Sequence, residues 1–285
     1  MSDLITGNTE IGGTKQALIA ALVQKELAFK AKLTPFFTDL SSLAIPGATS
    51  IAVPKLSSFT VVDRAEGAYG DASQLTSSND VLSLDQNLYV SWIIDATTAL
   101  QSNIPAQLEF ARRAAAAQAR KVDELLIAEI RSVCHSFLNV GTDADVTYAN
   151  VLAMVKKLEE NDAMMEDCVF MVSPQQKAAL FSLAEFKNQY QFGQAVLPSG
   201  QIGTILGIPV VLHSGLAGKE LFLAEKSGVA YAFQKNATYG EQAEIGYGVG
   251  AMKAAIDQVM GVKGMQLAQK GAASGKSPLV IGLND

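Results

Sequence analysis

The sequence predicts an α+β fold built around one very long helix. Three observations predict it: a long apolar stripe of helical period, two β-prone runs separated by a polar stretch, and a later alternation of short helices and strands. With 285 residues, of which 49% are hydrophobic, the chain can bury a large core. Only 18% of the residues are charged, against about 25% in typical domains. We therefore expect partners to cover much of the surface.

Composition and charge exclude several classes of protein. The formal net charge of −6 argues against a globally basic nucleic-acid binder. Two cysteines are too few for a disulfide framework. The N-terminus does not resemble a signal peptide, and no apolar run approaches the roughly 18 residues needed to cross a bilayer. We expect a protein that is made in the cytoplasm and has no membrane-spanning part.

Residues 1–32 predict an N-terminal arm, with a helix from Thr14 to Lys32. Most charged helix faces are simply solvated, and this is the usual interpretation of such a segment. The alternative is an arm that docks on a neighbouring subunit or contacts phosphate. The basic residues available for that contact are Lys15, Lys25, Lys30 and Lys32.

The next two segments predict extended structure. Three prolines in residues 33–56 indicate a loop with short extended pieces, and Ser50–Leu56 is β-prone. Residues 57–62 and 87–95 are β-prone runs on either side of a long polar stretch, which predicts a long hairpin. Because an isolated two-stranded hairpin is marginal in water, it is expected to pack on its own domain or on a neighbour.

A single apolar stripe predicts a helix over residues 104–137. Its apolar residues recur at intervals of three and four, and at 1.5 Å per residue the helix is roughly 50 Å long. Asn103 can cap it, and Pro105 fits the first turn. Four of the five arginines lie on this helix, and ion pairing with its acidic residues is the simplest interpretation of most of them. Those acidic residues are Glu109, Asp123, Glu124 and Glu129.

From Asp145 onward the pattern alternates helices and strands. Predicted helices cover residues 147–161, a segment opened by the Ser173–Gln176 capping box, and 251–260. Residues 187–204 are a polar loop, and the tail from Gly271 is small, polar and expected to be loose. Predicted strands are 169–172, a strand entered through the turn at 203–207 and ending near Val211, 221–224, 229–233 and 244–247.

No motif in the chain carries convincing enzyme chemistry. Gly271–Ser277 resembles a phosphate-binding loop but has three residues between its glycines where the motif needs four. Gly246–Ala251 fits a loose dinucleotide pattern without the acid expected about 20 residues later. The pairs Cys134-His135 and His213-Ser214 lack the spacing of a zinc site, and neither forms a nucleophile–base arrangement. We therefore predict no catalytic, cofactor or metal residues, and a nucleotide-dependent enzyme is the weakest interpretation.

The order and spacing of these elements resemble the major capsid proteins of tailed bacteriophages, which share the Hong Kong 97-type coat fold. The resemblance covers nearly the whole chain, and its motifs are weak singly but fairly specific together. The residues that carry it are Ile51–Pro54, Asp95–Asn103, Asp123–Leu126, Val172–Pro174 and Gly200–Val211.

The resemblance implies a division into domains. A peripheral domain contains the long helix as its spine, an extended loop lies over an adjacent subunit, and an axial domain surrounds the capsomer axis. The implied boundaries are an arm at 1–32, a peripheral domain at 33–56 and 93–146 with the spine helix at 104–137, an extended loop at 57–92, an axial domain at 147–225, strands that complete both domains at 226–270, and a tail at 271–285.

The resemblance also implies a function and partners. The chain would form hexamers and pentamers of an icosahedral virion shell around double-stranded DNA, together with a portal protein and possibly a decoration protein. The alternative is a bacterial nanocompartment shell that encloses protein cargo. Candidate DNA contacts are the four arm lysines, and contact would be nonspecific. Candidate intersubunit contacts are Arg64, Glu66, Tyr69, Asp71, Asp80, Asp85, Arg112, Arg113 and Arg120.

Two departures from the family matter. Some members crosslink their subunits through a lysine on the extended loop, but residues 56–120 contain no lysine, so we predict no such crosslink. Some members begin with a long scaffolding segment that is cleaved after assembly. Here the arm is short, so we expect a separate scaffolding protein.

Overall fold

The computed structural model has the predicted α+β architecture, with a long helix, two sheets and a separate hairpin. It describes residues 18–23, 25–26, 31–56, 77–94, 106–138, 145–183, 201–243, 252–265 and 276–283. The helices are α1 Ala106–Val133, α2 Tyr148–Glu159 and α3 Pro174–Ser182, and residues 18–23 are also helical. The strands are β1 Thr38–Asp39, β2 Ser50–Leu56, β3 Ser77–Ser83, β4 Gln86–Ile94, β5 Cys134–Leu138, β6 Cys168–Val172, β7 Gln201–Ile205, β8 Ile208–Leu212, β9 Leu221–Glu225, β10 Val229–Ala243, β11 Met252–Gly264 and β12 Ser277–Leu283.

Helix α1 confirms the predicted stripe, because its apolar residues from Ala111 to Val133 are buried. Its 28 residues correspond to a length of about 42 Å. The helix ends four residues earlier than predicted. Cys134–Leu138 instead forms β5, which pairs in parallel with β12, so backbone pairing overrides the apolar spacing there. The predicted cap residues Asn103 and Pro105 lie outside the described residues.

A four-stranded sheet in the order β1-β10-β11-β4 packs against α1. The helix predicted over residues 251–260 is wrong, because this segment belongs to β11. Its side chains alternate between buried and more exposed, with Ala254, Ile256 and Met260 buried. Since β11 lies between β10 and β4, pairing on both sides decides between two periods that its apolar residues fit almost equally.

A six-stranded sheet in the order β5-β12-β9-β6-β8-β7 forms the second layer, and α2 packs on it. The loose tail predicted from Gly271 is wrong over Ser277–Leu283, which is β12, a fully buried strand between β5 and β9. Residues 201–204 of the predicted polar loop form part of β7. The remainder of that loop and the predicted strand at 244–247 lie outside the described residues.

The hairpin consists of β2 and β3, paired from Ser50 with Ser83 to Leu56 with Ser77. Residues 57–76, which connect the two strands, lie outside the described residues. The predicted strand containing Trp92 is confirmed as β4. It pairs with β11, however, so it is not an arm of the hairpin. The base of the hairpin packs through Ile51 and Leu82 on the face of β10 that carries Ala230 and Ala232.

Helix α1 joins the two sheets through one core. In its C-terminal half, Leu126 and Ile130 share a cluster with Phe222 of the six-stranded sheet and with Tyr231 and Met260 of the four-stranded sheet. Its N-terminal half packs differently. There a separate cluster contains Ala111 and Ala115 together with Ile19, Val23 and Ile256.

Candidate subunit interfaces and the Asp123 centre

A buried carboxylate connects three parts of the chain at the middle of α1. Asp123 is 1% exposed and accepts hydrogen bonds from the backbone N–H groups of Lys32 at 3.0 Å and Leu33 at 3.2 Å. Its Oδ2 also lies 3.0 Å from Nε2 of His213, which follows β8. We call these four residues the Asp123 centre. It holds the end of the arm and the end of β8 against the spine helix.

The histidine of this centre is oriented by its own turn. The Gly215 N–H donates to Nδ1 of His213 at 3.0 Å. Because Nδ1 accepts, Nε2 carries the proton and donates to Asp123. His213 is thus a turn residue, as the sequence suggested, and it also bonds to the spine helix.

Sequence reasoning missed this centre. It paired Asp123 with an arginine along the helix, and that prediction is wrong because the carboxylate points into the core. The available signal was position, since Asp123 lies four residues after Ala119 and four before Ile127, on the buried face of α1. A carboxylate on an apolar face needs several hydrogen-bond donors.

The predicted ion pairs of α1 are confirmed for Glu109, which pairs with Arg113 at 3.0 Å. Arg112 reaches Glu26 of the arm at 4.0 Å. Arg131 leaves the helix and forms a two-point contact with Glu220 at 2.8 and 2.6 Å. This last pair joins the end of α1 to the loop before β9.

The other two acidic residues have different partners from those predicted. Glu124 pairs with Lys121 at 3.2 Å. Glu129 accepts from the backbone N–H of Gly264 at 2.8 Å and so joins α1 to β11. Arginine pairing was wrong for both.

The described residues offer no catalytic constellation. Within those ranges, no group of three or more His, Cys, Asp or Glu side chains could hold a metal ion, and no helix is long and apolar enough to cross a membrane. Both cysteines are buried and free. Burial, with smaller contributions from Glu225 and Asp167, raises the pKa of the Cys168 thiol to about 12, so this thiol is protonated at neutral pH.

Comparison with known proteins decides what this arrangement is. A family model described as phage capsid protein matches residues 47–276. The chain belongs to the phage capsid protein family. No curated protein sequence matches this capsid protein.

The solved structures most similar to this capsid protein include several phage capsids. The structure titled Mycobacterium phage Che8 has a TM-score of 0.67 at 16% identity, over 88% of this chain and 90% of that one. The Cyanophage Pam1 capsid has a TM-score of 0.66 at 12% identity, over 90% and 92% of the two chains. A virus-like particle from Pyrococcus furiosus has a TM-score of 0.62 at 8% identity, over 95% and 99%. The predicted Hong Kong 97-like fold is confirmed.

The candidate intersubunit residues of the hairpin lie mostly outside the described residues. Asp80 is half-buried on β3, and Asp85 is exposed in the β3–β4 turn, where it accepts from Gln86 Nε2 at 3.0 Å. On the capsid protein's spine helix, Arg112, Arg113 and Arg120 are exposed and remain available to a neighbour. The residues outside are Arg64, Glu66, Tyr69 and Asp71.

The described part of the arm packs against its own subunit. Ile19 and Val23 are buried in the cluster that includes the N-terminal half of α1. Lys25 is exposed, whereas Lys32 is half-buried next to the Asp123 centre. Lys15 and Lys30 lie outside the described residues. Contact between these lysines and DNA stays a prediction.

Proposed function

We propose that this capsid protein forms hexamers and pentamers that close into the icosahedral shell around a double-stranded DNA phage genome. The observation that carries the proposal is the phage capsid family match over residues 47–276, together with the capsid fold. The protein's work is self-assembly, and its chemistry is non-covalent. It is made in the host cytoplasm and ends in the virion.

The packing of the chain supports a rigid building block with two lobes. We assign α1 and the four-stranded sheet to the peripheral domain, and α2, α3 and the six-stranded sheet to the axial domain. Because α1 shares one core with both sheets, the two lobes resist independent rotation. The hairpin is free of that core, packs only through its base, and is the element we assign to an adjacent subunit.

The arm is our candidate for nonspecific contact with DNA. Lys25 is exposed on a helical segment that is anchored through Ile19 and Val23, so its charge is held at a fixed place on the subunit. Replacing Lys15, Lys25, Lys30 and Lys32 together with glutamate should impair DNA packaging and reduce the salt dependence of DNA retention. Unchanged packaging would rule out this assignment.

Assembly involves other proteins as well. We propose a separate scaffolding protein that sets the size of the shell, a portal protein at one vertex, and an optional decoration protein outside. Uniform shells formed efficiently by this chain alone would contradict the need for a scaffold.

The alternative function is a nanocompartment shell that encloses protein cargo. The likeness to the Pyrococcus furiosus virus-like particle favours it, because that match covers nearly all of both chains. The family match and the larger number of phage capsid neighbours favour the virus.

The contents of purified particles decide between the two functions. We expect nuclease-protected double-stranded DNA after extraction of particles from the natural source. Empty shells formed with a co-expressed scaffold would support the same function. A single enclosed enzyme and no DNA would establish the nanocompartment instead.

A further inference from the structure

The turn between β7 and β8 holds a residue that its backbone disfavours. Leu206 and Gly207 form a two-residue hairpin loop with φ angles of 53° and 85°. Two positive φ angles define a type I′ turn, which prefers asparagine, aspartate or glycine at its first position. Leucine is strained in that conformation, and the Leu206 side chain is 47% exposed, so the subunit gains little from its burial. Such strain without local benefit indicates a function.

Leu206 forms part of an open apolar groove. The groove lies between α2 and the β7–β8 turn and has a volume of about 660 Å³. Leu152 on α2 is 42% exposed on its wall, and the charged side chains of Lys156 and Glu159 stand beside it. We call it the α2 groove, and its apolar lining consists of Leu152, Ala153, Val155, Met165, Leu206 and Ile208. Exposed apolar surface with a polar rim is typical of protein interaction sites.

The charge pattern identifies the occupant. Residues 188–218, which include β7 and β8, form a run of 31 residues without Asp, Glu, Lys or Arg. Each copy of the chain carries a net charge of −6, so two copies repel each other wherever their charged surfaces meet. Contact between copies is therefore least unfavourable along an uncharged surface. DNA or a basic partner would gain nothing from such a surface.

We propose that the α2 groove, with Leu206 at its edge, is a contact surface between copies of this chain, filled by apolar side chains of the neighbouring copy. The inference rests on the proposed function, because a shell is built from repeated contacts between different surfaces of identical copies. Leu206 is then a residue whose strain in the subunit is offset by burial in the shell.

The substitution Leu206→Asn tests this directly, because it should act on the fold and on assembly in opposite directions. Asparagine before Gly207 suits the type I′ turn, so the unassembled protein should melt about 2 °C higher. Loss of the apolar side chain should lower the yield of sedimenting shells at least ten-fold. A purely structural role for Leu206 would not give this combination.

Asp162→Asn is the matched control. Asp162 is the other described non-glycine residue with positive φ, at 59°, and it is exposed. Its substitution changes a turn residue of the same conformation without removing an apolar side chain, so shell yield should equal that of the wild type. Leu206→Asn shells at wild-type yield would overturn the inference.

A labelling experiment asks what fills the groove. Cys134 and Cys168 are each 2% exposed, so a thiol introduced as Leu152→Cys is the accessible one among the described residues. We expect thiol reagents to label it at least ten-fold more slowly in shells than in unassembled protein. Equal rates would overturn the inference. Protection that disappears when other proteins are stripped from intact shells would assign the groove to those proteins, and would overturn it too.

These outcomes separate the two proposals. If wild-type protein forms no shells under any condition, including with scaffold, the proposed function fails and this inference fails with it. If the wild type, Asp162→Asn and Leu206→Asn all assemble equally, the proposed function stands and only the inference fails.

Discussion

At the scale of single residues, Asp123 fastens the arm, the spine helix and the end of β8 with one carboxylate. Its three donors are the N–H groups of Lys32 and Leu33 and Nε2 of His213. Each donor is separated from Asp123 by 90 or 91 positions in the chain. No local pattern in the sequence can reveal such a contact, because it forms only when the whole fold is in place.

Asp123→Ala should destabilise the unassembled protein by about 3 kcal/mol, because three buried donors lose their acceptor. The free energy of unfolding is measured by urea titration. Glu124→Ala is the control, since the exposed pair of Glu124 with Lys121 contributes at most about 0.5 kcal/mol. Equal losses in the two variants would contradict the role of the Asp123 centre.

The Cys168 thiol predicts how stability changes at alkaline pH. Its pKa rises from 9.0 to about 12 in the fold, so the folded state holds this proton more tightly than the unfolded chain. The thiol therefore does not alter the pH dependence of stability below pH 9, and stability falls as the pH rises from 9 toward 12. In Cys168→Ala this decline should be shallower. Identical slopes of unfolding free energy against pH in the two proteins would refute the prediction.

At the scale of elements, the predictions succeeded where period and length were decisive. The stripe of α1 and the capping box at Ser173, whose Oγ accepts from the Gln176 N–H, follow from local chemistry. They failed at β11 and β12. There, short apolar runs become strands because neighbouring strands lie on both sides, and that choice is made by residues far along the chain.

The contact between the hairpin and β11 depends on a glycine. A methyl group at Gly261 would overlap the Ser83 carbonyl oxygen and lie 2.8 Å from Leu82 Cδ2. Gly261→Ala should therefore cost about 2–3 kcal/mol of unfolding free energy and loosen the hairpin. Gly240→Ala on β10 is the control, because nothing lies within 4 Å of its added methyl group and little change is expected. A Gly261→Ala protein as stable as Gly240→Ala would show that the hairpin does not pack here.

At the scale of the whole molecule, the family and fold were predictable, whereas the contacts between copies were not. The order of arm, hairpin, spine helix and axial elements is written along the chain and is confirmed. The nine candidate intersubunit residues are a different matter. Charge and exposure make Arg120 or Asp85 available, but only a second copy in a fixed position could show which of them is used.

The absence of lysine from residues 56–120 predicts shells without a covalent crosslink through the extended loop. On a denaturing gel, mature shells should give a single band at the subunit mass of 30.1 kDa. A ladder of multimers that survives boiling in detergent and reductant would contradict this.

Cryo-electron microscopy of purified particles tests the central claim most directly. We predict closed icosahedral shells in which each copy has the fold described above, with the β2–β3 hairpin lying on an adjacent copy and DNA density inside. A protein that stays a monomer or small oligomer under all conditions, including with a scaffold, would contradict the account.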